Sequence, residues 1–167
     1  MAYPDGFSYV EGPYNIRWST VSSVATFRIR NPVVMEDVAR TINELADSRT
    51  TAIYGIAMSN AADSVGGQLA GKVPILVPTE QTVFATKVQT GVSAAVLELG
   101  TTFELEKSGN FFRINSDLNS TASARVVLVE RGTSGSALDS ADSSVYIQFL
   151  RDAIFPFGSN ASLRLQT

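Results

Sequence analysis

Hydrophobic and polar residues alternate along two stretches near the start of the chain. Residues 14–18 and 25–30 each place an apolar side chain at every second position, and a serine-rich turn separates them. A period of two is typical of strands that bury one face. We therefore predict two half-buried strands, with Trp18, the single tryptophan, in the core or, alternatively, at the rim of an interface.

The middle of the chain contains three apolar runs of strand length, Ile53–Met58, Val73–Val77 and Val83–Val88. They are rich in valine and isoleucine, and breaks of Gly, Asn, Asp and Pro separate them, which favours strands joined by turns. Pro74 and Pro78 bracket the second run. Because proline has no N–H to donate to a sheet, this run is predicted to be an edge strand.

The second half of the chain favours a hairpin followed by longer strands. Alternating residues on both sides of Lys107–Asn110 predict the hairpin, and further strands are predicted at Arg125–Glu130 and Val145–Phe149. Strand signals that recur about every 8–12 residues are typical of sandwiches and barrels. We predict an all-β fold: a single-domain antiparallel β-barrel or sandwich over residues 14–167, with at most one or two short helices.

Two segments leave alternatives open. In residues 33–46 the apolar positions have the spacing of an amphipathic helix, but they also fit two strands that turn near Glu36–Asp37. Residues 1–13 are predicted to form an extended N-terminal arm. Chain ends are often disordered, but the three aromatic residues of this arm favour docking onto the fold.

Composition excludes several classes of chemistry. The 167 residues include no cysteine and no histidine, which removes disulfides, thiolate nucleophiles, Zn–Cys sites and the commonest general base. The net charge of −3 argues against nucleic-acid binding, and no apolar run reaches the length of a membrane span. The N-terminal sequence lacks the features of a signal peptide, so we expect a cytosol-like compartment.

Two sequence motifs resemble ligand sites but fail on inspection. Gly66–Lys72 nearly matches a phosphate-binding loop, yet Val73 supplies no hydroxyl and Pro74 blocks the helix that should follow. Asp139 and Asp142 lack the spacing of a calcium loop and are better interpreted as turn residues.

The remaining acidic pair is also unsuited to catalysis. Glu104 and Glu106 share one strand face without a facing carboxylate, and a solvated face is the simpler expectation. We therefore predict no catalytic residue, no cofactor and no metal site.

Four segments of the chain together resemble a known family. They are Ala52–Asp63, Gly71–Phe84, Gly100–Asn115 and Ser143–Asn160. Their order and turn placement resemble the decoration, or cement, proteins on the outside of tailed-bacteriophage heads. The resemblance implies a β-rich virion protein without catalytic groups, assembled in the host cytoplasm, that binds the major capsid protein and itself, often as a trimer. It also implies an extended segment before Ile53, which favours strands over a helix in residues 33–46.

The resemblance directs attention to exposed aromatic residues as contacts with the shell or with neighbouring copies. The residues expected to make these contacts are Tyr3, Pro4, Phe7, Tyr9, Phe155 and Phe157. The alternative to surface contact for Phe155 and Phe157 is that they plug one end of the barrel. A tail or neck component is the alternative function, and a carbohydrate-binding or carboxylate-based glycosidase-like β module is a third.

Overall fold

The computed structural model shows two antiparallel β-sheets that pack face to face. It describes residues 5–36, 38–46, 52–64, 71–88, 99–115, 125–131 and 144–154. Within these ranges the longest helices are single 3₁₀ turns at Ala61–Asp63 and Arg151–Ala153, and the sheets do not close into a barrel. The fold is therefore all-β, as the alternation predicted, and its architecture is that of a sandwich.

Eleven strands are present in the described residues, and they divide into a six-stranded and a five-stranded sheet. The six-stranded sheet has the order β1-β7-β11-β10-β8-β9, with β1 (Ser8–Glu11), β7 (Val83–Lys87), β8 (Thr102–Ser108), β9 (Phe111–Asn115), β10 (Arg125–Arg131) and β11 (Ser144–Phe149). The five-stranded sheet has the order β2-β6-β5-β3-β4, with β2 (Tyr14–Thr20), β3 (Pro32–Met35), β4 (Ile42–Glu44), β5 (Gly55–Ala57) and β6 (Lys72–Pro78).

In the described part of residues 33–46 the chain forms two strands and no helix. Strands β3 and β4 form an antiparallel pair in which Val33 lies opposite Glu44 and Met35 lies opposite Ile42. The Glu36 carboxylate stabilises the connection by accepting hydrogen bonds from Thr41 at 2.6 Å and from the side chain of Asn43. The helical spacing does not correspond to one buried face, since Val38 is 96% exposed in the turn. Val34 and Leu45 are buried between the sheets, and Ile42 is buried on the outer face of the five-stranded sheet.

Two hydrophobic clusters cover the two faces of the five-stranded sheet. The larger one lies between the sheets and joins residues such as Ile56 and Leu76 to Phe84 and Ile147. The smaller one lies on the outer face of the five-stranded sheet and includes Phe27. Strands β3, β5 and β6 therefore contribute buried apolar residues to both clusters.

The strand predicted at residues 25–30 is absent, because this segment is an irregular cover for the outer face. Phe27 is fully buried in the smaller cluster. Its carbonyl accepts a hydrogen bond from the Ala61 amide at 3.0 Å, and the Arg30 amide donates to the Ala57 carbonyl at 2.7 Å. Contacts with the neighbouring loop and with β5 thus replace a regular ladder.

The edge position predicted for Val73–Val77 is wrong, since β6 lies between β2 and β5. Ile56 pairs with Leu76, so the three-residue β5 spans only the middle of β6. Pro74 and Pro78 fall outside that short ladder. Proline is therefore tolerated in this interior strand because β6 is longer than its neighbour.

A tight crossover at Gly12 and Pro13 connects the first strand of each sheet. Gly12 has φ +95°, and an added Cβ would collide with the Gln81 carbonyl. The Pro13 carbonyl accepts hydrogen bonds from the hydroxyls of Thr79 and Thr82. Because of this crossover, β1 and β2 lie at edges of their two sheets on the same side of the sandwich.

Candidate interaction surface

Strand β2 exposes a row of large apolar side chains. Tyr14, Ile16 and Trp18 occupy alternate positions and are 44%, 41% and 51% exposed. We call these three residues the β2 row. The strand itself was predicted, but the expectation that Trp18 lies in the core is wrong.

The β2 row lies on the inner face of its sheet, where the opposite sheet does not cover it. Ile16 lies opposite Leu76 in the ladder, and residues opposite each other share a face. Leu76 is buried in the cluster between the sheets. The β2 row therefore continues the core outward, beyond the edge strand β1 of the other sheet.

Tyr9 on β1 extends the same apolar surface. Its ring packs against Tyr14 with centroids 4.8 Å apart, and its hydroxyl donates to the Gly12 carbonyl at 2.9 Å. A cavity of about 290 Å³ opens beside it between the two sheets, lined in part by Tyr9, Met58 and Leu76. The open side of the sandwich is thus aromatic and apolar.

The backbone along the outer edge of β2 is available for pairing. The Met58 amide donates to the Pro74 carbonyl at 3.0 Å, so the polar groups of Pro74 face β5. Trp18 lies opposite Pro74, and its N–H and C=O therefore point away from β6. Because the pattern alternates, Tyr14 and Ile16 also direct their backbone groups outward. Among the described residues no strand pairs with this edge.

A second cavity, of about 460 Å³, lies under the irregular cover and includes Phe27, Arg28 and Asn60 in its wall. The Asn60 side chain accepts a hydrogen bond from the Ile29 amide at 3.0 Å and donates to Asp63 at 2.9 Å. The polar groups of Asn60 therefore brace the local backbone.

Charged residues form structural clusters at two places. Asp5 forms ion pairs with Arg113 at 2.7 Å and with Lys87 at 3.3 Å. Burial acts to raise the pKa of Asp5, but the hydrogen bond from Arg113 and the charges of both cations outweigh it and lower the pKa. Glu44 accepts from Lys107 at 2.6 Å and from Asn31 at 2.8 Å, which links the two sheets.

The residues predicted as shell contacts divide into three groups. Phe7 is only 1% exposed and packs against Phe84 and Phe149, so its assignment as a surface contact is corrected to a core position. Tyr9 is 42% exposed and remains available for contact. The others lie outside the described residues: Tyr3, Pro4, Phe155 and Phe157.

The structure agrees with one of the predictions made for the rejected ligand motifs, contradicts another and does not describe the third. Lys72 begins strand β6 where a phosphate-binding loop would begin a helix, which agrees with the rejection. Asp139 and Asp142 lie outside the described residues. The solvated face expected for Glu104 is wrong, because this side chain is buried on β8.

Within the described ranges no group of three or more acidic residues is placed to hold a metal ion. The same part of the chain contains no helix long and apolar enough to cross a membrane. No protein-family model matches the sequence. No curated protein matches it either.

Sequence reasoning missed the β2 row as a surface. The alternation identified which residues share a face, and the alternative of an interface rim was closer to the observed exposure of Trp18. The proximity of two edge strands across the Gly12 crossover, which leaves this face open, depends on tertiary structure.

Proposed function

We propose that this chain is a non-enzymatic structural protein of a virion, which decorates and stabilises a tailed-phage capsid by binding the major capsid protein lattice. The observation that carries the proposal is the β2 row, a set of large apolar side chains exposed on an open sheet edge. Such a surface is typical of chains that assemble with other protein chains. The resemblance of the four sequence segments to capsid decoration proteins supports a phage capsid as that assembly.

The chemistry of the described residues supports a role in assembly over catalysis. The carboxylates of Asp5 and Glu44 are paired with cations in structural clusters. The polar groups of the larger cavity cap and brace the backbone around Asn60. A chain without histidine and cysteine, and with its charges used in this way, is suited to packing against neighbours.

A decoration protein stabilises a shell by burying surface at many equivalent positions. A standard interface buries roughly 800 Å² per partner, and several such contacts per oligomer multiply the avidity. Tyr3, Pro4 and Tyr9, together with Phe155 and Phe157, remain the proposed contacts with the shell. Phe7 is excluded from this set by its burial.

The proposal is tested by co-sedimentation with expanded capsids that were assembled without this chain. We expect the intact chain to pellet with capsids in a fixed ratio to the lattice. A chain lacking residues 1–4 is expected to bind at least tenfold more weakly with an unchanged urea midpoint, because β1 and Phe7 stay intact. Equal binding by the shortened chain would mean that residues 1–4 do not contribute to the contact with the capsid.

Failure of the intact chain to pellet with capsids would overturn the capsid assignment. Electron microscopy of the purified protein distinguishes the competing assembly, since a tail or neck component would form rings. Titration with oligosaccharides tests the carbohydrate alternative directly, because the half-exposed Trp18 is the single tryptophan of the chain and reports binding by its fluorescence.

A further inference from the structure

The outer edge of β2 is seven residues long and combines outward-facing backbone groups with the apolar β2 row. Edge strands are usually protected by an inward charge, a proline or a bulge. None of these devices occurs within Tyr14–Thr20, whose ladder with β6 runs without a register shift. The one charged residue of the strand, Arg17, points to the outer face.

We propose that two copies of this chain associate through β2, antiparallel about a two-fold axis at Ile16, so that their five-stranded sheets join into one continuous sheet. The partner is a second copy because β2 is complementary to itself in this register.

The pleat restricts the possible registers. In an antiparallel pair, residues directly opposite each other point to the same face of the sheet. Because side chains alternate between faces along a strand, the two-fold axis must lie level with a residue and not midway between two residues. An axis at Asn15 would place Trp18 opposite Gly12 in the crossover turn and would shorten the ladder. An axis at Arg17 pairs all seven residues of the strand, and axes at Ile16 and at Trp18 each pair five.

An axis at Trp18 would set Tyr14 opposite Ser22, beyond the end of the strand, and so would leave part of the β2 row unpaired. Charge decides between the remaining two registers, at Ile16 and at Arg17. An axis at Arg17 would set two guanidinium groups directly opposite each other in a close pair with Cα atoms about 4.5 Å apart, which is destabilising. An axis at Ile16 places each Arg17 opposite the Asn15 of the other copy. It also pairs each Tyr14 with a Trp18, and aromatic cross-strand pairs stabilise sheets.

The backbone pattern agrees with the Ile16 register. The outward N–H and C=O groups belong to alternate residues, which include Ile16, Tyr14 and Trp18. In this register these residues face one another, and each of the three pairs exchanges two hydrogen bonds, about six in all. The inward groups of Asn15 and Arg17 remain bonded to β6 within each copy.

The area available is sufficient for a weak to standard interface. Tyr9, Tyr14, Ile16 and Trp18 are each between 41% and 51% exposed. At roughly 150–250 Å² for a large side chain, they expose about 300–450 Å² together. A standard interface needs about 800 Å² per partner, so the backbone edge and the flanking polar residues supply the remainder.

This pairing uses the same β2 row that carries the capsid proposal, but its test needs only the purified chain, so the two proposals can fail separately. It is a two-fold assembly and therefore differs from the trimer that the resemblance implies. The first test is the mass of the purified protein by analytical ultracentrifugation over a range of concentrations. We expect twice the chain mass of 17.9 kDa at high concentration, with a monomer on dilution.

Two matched variants test the position of the interface. Ile16→Lys places two ammonium groups at the axis and is expected to raise the dissociation constant of the dimer at least tenfold. Val24→Lys makes the same change at a residue that is 73% exposed outside β2 and is expected to leave it unchanged. Equal effects of the two variants, or a monomer at every concentration, would overturn the proposal.

Cysteine substitution tests the register, because the natural chain contains no cysteine. In a hydrogen-bonded pair the Cα atoms are about 5.5 Å apart, which suits a disulfide. Ile16→Cys should therefore form a covalent dimer on oxidation, whereas Trp18→Cys alone should not, because Tyr14 is its partner. A link through Trp18→Cys and not Ile16→Cys would overturn the register.

The same experiment distinguishes a second copy from any other partner that could cover the outer edge of β2. If another segment of the chain or a different protein covers β2, Ile16→Cys gives no disulfide-linked dimer and the purified mass is that of a monomer. A trimer without the Ile16 link likewise excludes the two-fold pair. Either result would overturn the proposal.

Discussion

Replacing Phe7 by alanine tests whether the start of the chain belongs to the core. The ring is 1% exposed and lies 6.3 Å from Phe84 in an edge-on arrangement and 5.4 Å from Phe149, between ring centroids. Truncation of a core phenylalanine costs about 3–5 kcal/mol, through lost transfer free energy and the cavity left behind. That is a large part of the roughly 5–15 kcal/mol that stabilises a domain.

Tyr9→Ala is the matched control, since Tyr9 lies two residues further on the same face of β1. Its ring is 42% exposed and contacts Tyr14. We expect this variant to lose about 1 kcal/mol or less, because a half-exposed ring buries less area. In urea unfolding, with a slope of about 1–3 kcal/mol/M, Phe7→Ala should lower the midpoint by roughly 1–5 M and Tyr9→Ala by well under half of that.

The result that would refute this reasoning is an equal, small shift for both variants. It would mean that the Phe7 ring does not fill the core in solution and that residues 5–11 behave as a loosely attached arm. Circular dichroism before unfolding confirms that both variants start from the native fold.

Two further predictions concern stability. The lowered pKa of Asp5 means that its ion pairs stabilise the fold above about pH 4 and are lost as the pH falls through that lowered value. Asp5→Asn should therefore reduce the urea midpoint more at pH 7 than at pH 2, and an equal loss at both pH values would contradict this. Gly12→Ala should cost more than Gly109→Ala in thermal unfolding, because both have positive φ but only Gly12 contacts another backbone. Positive φ alone costs alanine about 1–2 kcal/mol, and equal losses would exclude the close contact.

The alternation of apolar residues predicted the all-β fold and most strand positions. It also favoured the correct strands around β3 and β4 once the resemblance was added. The hairpin of β8 and β9 formed where its turn residues predicted, with Glu106 opposite Arg113. These features depend on local sequence, in which side-chain period and turn chemistry agree.

The features that were missed depend on what packs against each face. Trp18 shares its face with core residues, but the period cannot show that the opposite sheet ends before it. Phe7 and Tyr9 look alike in sequence, yet one is buried and the other half exposed. Pro74 suggested an edge because the short length of β5 was not evident.

The sheet order has a consequence for synthesis on the ribosome. β1 pairs with β7 and β2 pairs with β6, so the first two strands wait for partners that are about 50–75 residues further along the chain. At translation rates of about 5–20 residues per second, this delay lasts several seconds. During that interval Phe7 and Trp18 are both exposed on the nascent chain, which makes its N-terminal region a natural target for chaperones that hold unfolded segments.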